Sequence, residues 1–321
     1  MKRDSLFLAM LTDVTLFLLC AALIFFSGKK LSYYGDVIAE KSGLGKIWVG
    51  LLLMATVTSL PELITGISSV RVVGSADLAV GNVLGSCVFN LAILSLLDAL
   101  IPKEPLFIKV EQTQVLAATL GTILLAMVGV GLFLDNVVIL GWIGLMSFLF
   151  ILVYFASIKL LHRFTTKSKP QESPTVDNEQ KKALQTAIGW YSFHALIVIA
   201  ASLFLPVFGE NIAIKSGLGE TFIGTLLLAA STSLPEMAIS LSAVRRGSVD
   251  IAVGNLFGSN IFNVFTLAID DLFYTKGDLL KVASESHIIS IFSTIIMTSV
   301  AVVGLTFRSS KKRFVLALDT L

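Results

Sequence analysis

The chain is short of charge. Only 14% of its 321 residues are Asp, Glu, Lys or Arg, where a soluble domain carries about one quarter, and 55% are hydrophobic. It has only two cysteines, Cys20 and Cys87, both inside apolar runs, which excludes a disulfide framework and a thiolate metal site. Its three histidines make no cluster. No Gly-rich phosphate loop or Ser-His-Asp arrangement stands out, and there is no soluble domain that could drive a pump with ATP. Carboxylates at mid-membrane without a nucleophile make a poor catalyst, so the reading is a non-enzyme with no cofactor. Nothing points to nucleic acid or to an obligatory protein partner; the partner the composition does imply is the lipid bilayer.

What the chain has is apolar runs of roughly 20 residues, the length that spans a bilayer. Hydropathy predicts helices near 8–36, 46–71, 78–100, 107–133 and 136–161, then near 184–214, 220–245, 250–273 and 282–306. Lys2 and Arg3 followed by an apolar run to Phe26 imitate a signal peptide, but the repeat described next contains a counterpart of this segment, so it is read as the first span. Between the two sets, residues 162–183 form a polar, solvated linker holding Lys167, Lys169, Pro170 and Pro174. Phe314 to Leu321 begin a further apolar run that stops after about two turns.

Laying 38–62 on 212–236 makes 16 of 25 positions identical. After a one-residue gap the match resumes, with Gly81-Asn82 on Gly254-Asn255 and Gly85-Ser86 on Gly258-Ser259. Polar residues kept in register mean duplication. A repeat of five helices, an odd number, turns the second copy over. Loop charges agree: with the N-terminus outside, 18 of the 24 Lys and Arg residues fall on the linker side, as the positive-inside bias requires. The expected fold is therefore an all-α polytopic membrane protein of two inverted five-helix repeats, 1–161 and 184–321. It follows a ten-helix plan whose last helix is truncated. Its place is a prokaryotic inner or plasma membrane, with the linker cytoplasmic.

The second predicted helix gathers Thr56, Thr58, Ser59 and Glu62 in mid-span around Pro61. Proline lacks an N–H and its ring clashes with the carbonyl of Val57, so the helix must kink or break. A break frees carbonyls around Ala55 to Thr58, which must face protein, water or an ion. Spacings of three and four put Ala55, Thr58, Ser59 and Glu62 on one face; Ala229, Thr232, Ser233 and Glu236 repeat it. A carboxylate at the bilayer centre costs roughly 2.5–3.5 kcal/mol on insertion scales, and two together repel. A compensating cation is the simplest account, set against a capping or packing role at a proline kink.

The third helix adds Asn82, Ser86 and Asn90 at spacings of four, repeated by Asn255, Ser259 and Asn263. Small and amide residues are also ordinary glue between membrane helices. Asn82 and Asn255 fit either role, whereas the deeper Ser86, Asn90, Ser259 and Asn263 read as ligands. Gly81, Gly85, Gly254 and Gly258 permit close backbone approach. Asp98 and Asp271, at helix ends, are expected at the water interface. Asp77 and Asp250 open helices, at the positive end of the dipole. The assembled donors are all hard oxygens, which suit Ca²⁺ and also Na⁺ better than zinc or copper.

With Thr58-Ser59-Leu60-Pro61-Glu62 and Gly81-Asn82-Val83-Leu84-Gly85-Ser86, and with Thr232-Ser233-Leu234-Pro235-Glu236 and Gly254-Asn255-Leu256-Phe257-Gly258-Ser259-Asn260, the chain resembles the calcium/cation antiporter superfamily. Within it, the chain resembles the sodium/calcium exchanger family of prokaryotic type. The resemblance covers both halves. It implies a ten-helix exchanger of Na⁺ for Ca²⁺ in which Glu62 and Glu236 bind Ca²⁺ and share Na⁺ sites. Thr58, Ser59, Thr232, Ser233, Ser86, Ser259 and the carbonyls of Ala55 and Ala229 contribute, with Asn90 and Asn263 at the centre. It also implies that the first and sixth helices slide across the rest to alternate access. Proton-coupled relatives carry Glu where Gly85 and Gly258 stand, and potassium-dependent ones carry Asp where Asn263 stands. The implied driving ion is thus Na⁺ alone. Val57 and Ser231 replace the usual Gly before Thr-Ser, and Cys87 replaces the Asn that Asn260 leads one to expect. The alternatives are an antiporter coupled to H⁺ or K⁺, or a passive cation channel with the same lining.

Overall fold

The computed structural model describes residues 2–42, 46–101, 105–134, 138–167, 178–216, 230–308, 312–313 and 316–317, some of them by backbone alone. Among these, eight helices are long and apolar enough to cross a membrane. In chain order the main elements are α1 (Lys2–Ser42), α2 (Val49–Val73), α3 (Ala76–Leu100), α4 (Thr113–Phe133), α5 (Leu145–Lys167), α6 (Asn178–Ser216), α7 (Leu234–Arg245), α8 (Val249–Phe273) and α9 (Ile288–Phe307). The segment 217–229 before α7 lies outside the described residues.

The bundle is built around α8. In its most apolar stretch 94% of the residues are buried, against 11% in α1, so α8 forms the centre and α1 the periphery. α8 packs on α2, α3, α4, α5 and α7; α9 covers α3 and α4; α1 and α6 lie along one another, α1 meeting α7 and α2, and α6 meeting α2. Leu18, Phe26, Leu152, Leu196, Ile296 and Phe307 point outward and are well exposed. That inverts the pattern of a water-soluble bundle and matches a hydrocarbon solvent, where only closed backbone hydrogen bonding survives.

Close approach of α2 and α8 depends on glycine. A Cβ on Gly50 would stand 2.7 Å from the carbonyl oxygen of Ile251, and one on Gly258 would stand 2.6 Å from that of Leu51. One on Gly254 would meet Ile47 O and Leu51 N at 3.3 Å. The small-residue contact read from the sequence is real on this seam. On α3 the corresponding Gly81 faces a side chain instead, His287 Cε1 at 3.3 Å.

The two halves match in detail. α3 and α8 each have 25 residues, and their ends are related by the same shift of 173 found in the sequence. The stretches before them end at Gly74 and Gly247, with φ of 76° and 79°. That left-handed backbone is open to glycine at no steric cost. Asp77 accepts from the Ser284 amide at 2.6 Å, and Asp250 from the Glu111 amide at 2.8 Å; the shift of 173 exchanges these two pairs.

Several expectations are corrected. Asp98 and Asp271 do not mark a water interface: both are buried. Asp98 Oδ1 accepts from the Leu106 amide at 2.7 Å, while Asp271 accepts from Leu279 N at 2.8 Å, Gly144 N at 3.0 Å and Ser147 Oγ at 2.6 Å. They satisfy the backbone of the segments that follow, each eight residues on. The fourth helix begins at Thr113, not 107, because Leu106–Lys109 is a 3₁₀ turn after Pro105. The fifth begins at Leu145, not 136, because Val138–Leu140 and Ile143–Gly144 pair as a small hairpin around Gly141, whose φ is 61°. α5 and α6 run beyond the linker limits drawn from hydropathy, to Lys167 and back to Asn178. Where a truncated tenth helix was expected, the described residues Lys312–Arg313 and Leu316–Ala317 pair as two short antiparallel strands.

Candidate cation site

The broken helices carry the site. In α2 the helix stops at Ser59 (φ −90°, ψ 4°) and restarts with Pro61 in its first turn. In the other half, residues 230–232 are helical, Ser233 (φ −86°, ψ 2°) breaks the run, and α7 restarts with Pro235. Two prolines at matched positions produce two matched breaks. One detail differs from expectation. The Ala55 carbonyl is not left free by the break: it accepts from the Ser59 amide at 3.0 Å and the Thr58 hydroxyl at 3.3 Å. Ala229, its counterpart, lies outside the described residues.

The polar side chains of α2, α3, α8 and the 230–245 segment meet in one buried cluster. Ser86 Oγ donates to Glu62 Oε1 at 3.2 Å and lies 3.5 Å from Thr232 Oγ1. Thr58 Oγ1 lies 3.3 Å from Ser259 Oγ and 3.4 Å from Asn255 Oδ1. These hydroxyl pairs, Thr58 with Ser259 and Thr232 with Ser86, exchange under the shift between halves. Ser59 Oγ donates to Glu236 Oε1 at 3.3 Å, Asn82 Nδ2 to the Glu62 carbonyl at 3.2 Å and Asn90 Nδ2 to Asn260 Oδ1 at 2.9 Å. Thr58, Ser59, Glu62, Ser86, Asn90, Thr232, Glu236, Ser259 and Asn263 are all fully buried, and Ser233 almost so. Every described side chain predicted for the site is therefore in the interior, and most are joined across helices.

Two contributors went unpredicted. Asn260 locks Asn90 and donates to the Cys87 carbonyl at 3.5 Å; it stands one residue off the stripe of fours, which is why spacing alone missed it. Ser240 accepts from Asn255 Nδ2 at 3.1 Å and donates to the Ala252 carbonyl at 3.3 Å. It holds one Asn255 nitrogen, so this residue serves as structural glue as well as facing Thr58.

Oxygens left without a hydrogen bond define what the cluster can do. Among the described residues, Glu62 Oε2, Glu236 Oε2, Asn82 Oδ1, Asn90 Oδ1, Asn263 Oδ1 and Ser233 Oγ are buried and unpartnered. Each unmet acceptor costs roughly 1–3 kcal/mol, and more when charged. Other buried unpartnered atoms, both Asp270 carboxylate oxygens among them, lie elsewhere among the described residues; what distinguishes these six is that they belong to the site's own residues, two of them to its carboxylates. All are hard donors, and no group of three or more His, Cys, Asp or Glu able to hold a metal occurs among the described residues. The chemistry is that of a hard cation with a flexible shell of oxygens. The open cleft of about 430 Å³ between α4 and α9 is different: Gly129, Phe133, Ile288 and Ile291 make it apolar, and it contains none of these residues.

Membrane-length helices closing over buried carboxylate, hydroxyl and amide oxygens define an integral membrane cation transporter. The family model described as sodium/calcium exchanger protein matches residues 12–161 and 186–317, and the chain belongs to that family. It is 26% identical over 309 residues to the inner membrane protein YrbG of Escherichia coli (strain K12), a match covering 94% of this chain and 90% of that one. It is 29% identical over 263 residues to the putative antiporter CaxA of Alkalimonas amylolytica, covering 79% and 78%. Among solved structures, the sodium-calcium exchanger NCX_Mj soaked with 100 mM Na⁺ and 10 mM Sr²⁺ superposes with a TM-score of 0.74 over 97% of this chain and 94% of that chain, at 20% identity. That likeness establishes the fold. Family membership makes the chain a multi-pass membrane antiporter of cations rather than an enzyme. Ca²⁺ and Na⁺ are the transported substrates, and no cofactor belongs to the family.

Proposed function

We propose that Glu62 and Glu236 form one site at which Ca²⁺ and Na⁺ bind alternately, and that Na⁺ entry drives Ca²⁺ outward. The observation that carries the reading is the pair of buried, unpartnered oxygens, Glu62 Oε2 and Glu236 Oε2, within a single hydroxyl and amide cluster. Two carboxylates supply a formal −2, which one Ca²⁺ or several Na⁺ ions neutralise. Thr58, Ser59, Ser86, Thr232, Ser233, Ser259, Asn90 and Asn263 complete the oxygen set, joined by the carbonyls of Ala229 and of Ala55, the latter only by giving up its bonds from Thr58 and Ser59. Both ions need the same carboxylates, so they compete, and competition at one site is what turns two bindings into exchange.

The halves are taken as inverted repeats, 1–161 and 184–321, joined by the 162–183 linker on the cytoplasmic side with the N-terminus outside. The contact pairs that exchange under the shift of 173 or 174 support this reading. So does the charge bias of the loops. Sliding of α1 and α6 past the rest would open the site to each side in turn; α1 is the least buried of the described membrane-length helices, which suits a moving element. Na⁺ is preferred over H⁺ as the coupling ion because Gly258 leaves no room for the carboxylate of proton-coupled relatives. Any side chain there starts 2.6 Å from Leu51 O.

The test is Na⁺-gradient-dependent ⁴⁵Ca²⁺ flux in proteoliposomes holding the full chain. Glu62→Gln and Glu236→Gln should each abolish exchange, and K⁺ or H⁺ gradients should not replace Na⁺. Normal flux in Glu62→Gln would refute the site, and Ca²⁺ flux with no counter-ion would make the protein a channel.

A further inference from the structure

One difference between the two halves lies at the centre of the site, at the amides of Asn90 and Asn263. In the first, Asn90 Nδ2 donates to Asn260 Oδ1 at 2.9 Å, a well-formed bond that fixes the amide and commits Asn90 Oδ1 as an acceptor. The shift of 173 carries Asn90 to Asn263 and Cys87 to Asn260. The reciprocal bond would therefore run from Asn263 to residue 87. There the chain has sulfur: Asn263 Nδ2 lies 4.0 Å from Cys87 Sγ, a weak acceptor at the limit of contact. Both side chains are fully buried, and Asn263 Oδ1 has no partner among the described residues. The other exchanged pairs, Thr58 with Ser259 and Thr232 with Ser86, close to within 0.2 Å of each other, at 3.3 and 3.5 Å. Those hydroxyl pairs keep the two halves in register around the centre, so the difference at position 87 is not a distortion of the whole fold; it stands beside two others, since Ser59 bonds Glu236 where Ser233 Oγ has no partner, and Asn82 and Asn255 donate to different acceptors.

We propose that Cys87 is a positioning residue that sets ion selectivity by leaving Asn263 unlocked. An amide whose NH₂ is held presents its oxygen permanently. One held by sulfur alone can turn, offering oxygen to a cation or nitrogen to a neighbouring carboxylate. The central ligands are thus one fixed arm, Asn90, and one adjustable arm, Asn263. A fixed arm favours the cation that gains most from a full oxygen shell, Ca²⁺. An adjustable arm lowers that preference and eases release, because ordering it is part of the cost of binding. Cys87 lies off the cation itself and acts through Asn263. The inference rests on the reading that the cation binds at Glu62 and Glu236 with Asn263 facing it.

The experiment is equilibrium ⁴⁵Ca²⁺ binding to the purified full chain, with Na⁺ titrated as competitor, in wild type, Cys87→Asn and Cys87→Ala. Asn at position 87 restores the amide acceptor, so Cys87→Asn should lower the Kd for Ca²⁺ about 2- to 12-fold, the worth of one buried hydrogen bond. It should do so with a smaller change for Na⁺ and slower Ca²⁺ turnover, while Cys87→Ala should stay near wild type. The gain should vanish when Asn263→Ala is added. The mirror change, Asn260→Cys, should unlock Asn90 and weaken Ca²⁺ binding by a similar factor, which keeps the idea testable if Cys87→Asn does not fold. Equal Kd values in Cys87→Asn and Cys87→Ala, or a gain that survives Asn263→Ala, would overturn the proposal. In either case Glu62→Gln reports separately on the site: if it still binds Ca²⁺ normally, the underlying reading has failed instead.

Discussion

Replacing Gly258 by Ala tests how tightly α2 and α8 must sit for the site to exist. The new methyl would stand 2.6 Å from Leu51 O and 2.9 Å from both Leu51 Cα and Ala55 Cβ. Two of these are backbone atoms that cannot swing aside. Restoring ordinary contact requires the helices to part by roughly 0.8 Å. Overpacking of this kind costs about 1–3 kcal/mol, against which the better helix propensity of Ala returns up to about 1 kcal/mol. The separation also acts on Thr58, on the same face as Ala55. Its contacts to Ser259 and Asn255 are already 3.3 and 3.4 Å long, and a further shift breaks them. Losing that tie should weaken Ca²⁺ binding about 10-fold, the equivalent of roughly 1.4 kcal/mol. Gly254→Ala meets backbone at 3.3 Å and the Gln114 side chain at 3.1 Å, and Gly81→Ala meets only His287 Cε1 at 3.3 Å. Thermal unfolding in detergent and ⁴⁵Ca²⁺ binding should therefore rank the variants with Gly258→Ala worst, Gly254→Ala intermediate and Gly81→Ala near wild type. If Gly81→Ala matched Gly258→Ala in damage, or if Gly258→Ala behaved as wild type, backbone contact would not be what sets the site's geometry.

Two further outcomes separate structural from ion-binding carboxylates. Asp271→Asn can accept on only one oxygen where the carboxylate serves Gly144, Ser147 and Leu279. It should lower stability by about 1.5–3 kcal/mol in a melting experiment while the Kd for Ca²⁺ stays the same. Glu62→Gln should do the reverse. Ca²⁺ at 100 times its Kd should stabilise the wild type by about 2.7 kcal/mol, seen as a higher melting temperature, and should leave Glu62→Gln unmoved.

Much of this was legible in the sequence because membrane depth makes polarity conspicuous. Pro61 and Pro235 announced the breaks, and spacings of three and four gathered Thr58, Ser59 and Glu62 with their copies. What hydropathy could not weigh was long-range backbone satisfaction. It reads Asp98 and Asp271 as wet, since it cannot see that the amides of Leu106 and Leu279 come back to them. It runs the fourth and fifth helices too far upstream, because the residues around Leu106 and Val138 are as apolar as helix. There, Pro105 and Gly141 decide the backbone. Asn260 escaped because a stripe of fours excludes the neighbour one residue along, although that neighbour's amide is long enough to reach Asn90.

The hydrogen bonds of the two site carboxylates also bear on biogenesis. Glu62 takes its bond from Ser86 and gives its carbonyl to Asn82, both in the half that leaves the ribosome first. Glu236 takes its bond from Ser59, which by then is already in the membrane. Glu62 waits only for the next helix of its own half to bring Ser86, whereas Glu236 finds Ser59 already made. Insertion in the opposite order would leave Glu236 waiting in lipid without its donor. The same asymmetry means that a first half made alone carries the Ser86 donor to Glu62, and a second half made alone lacks the Ser59 donor to Glu236.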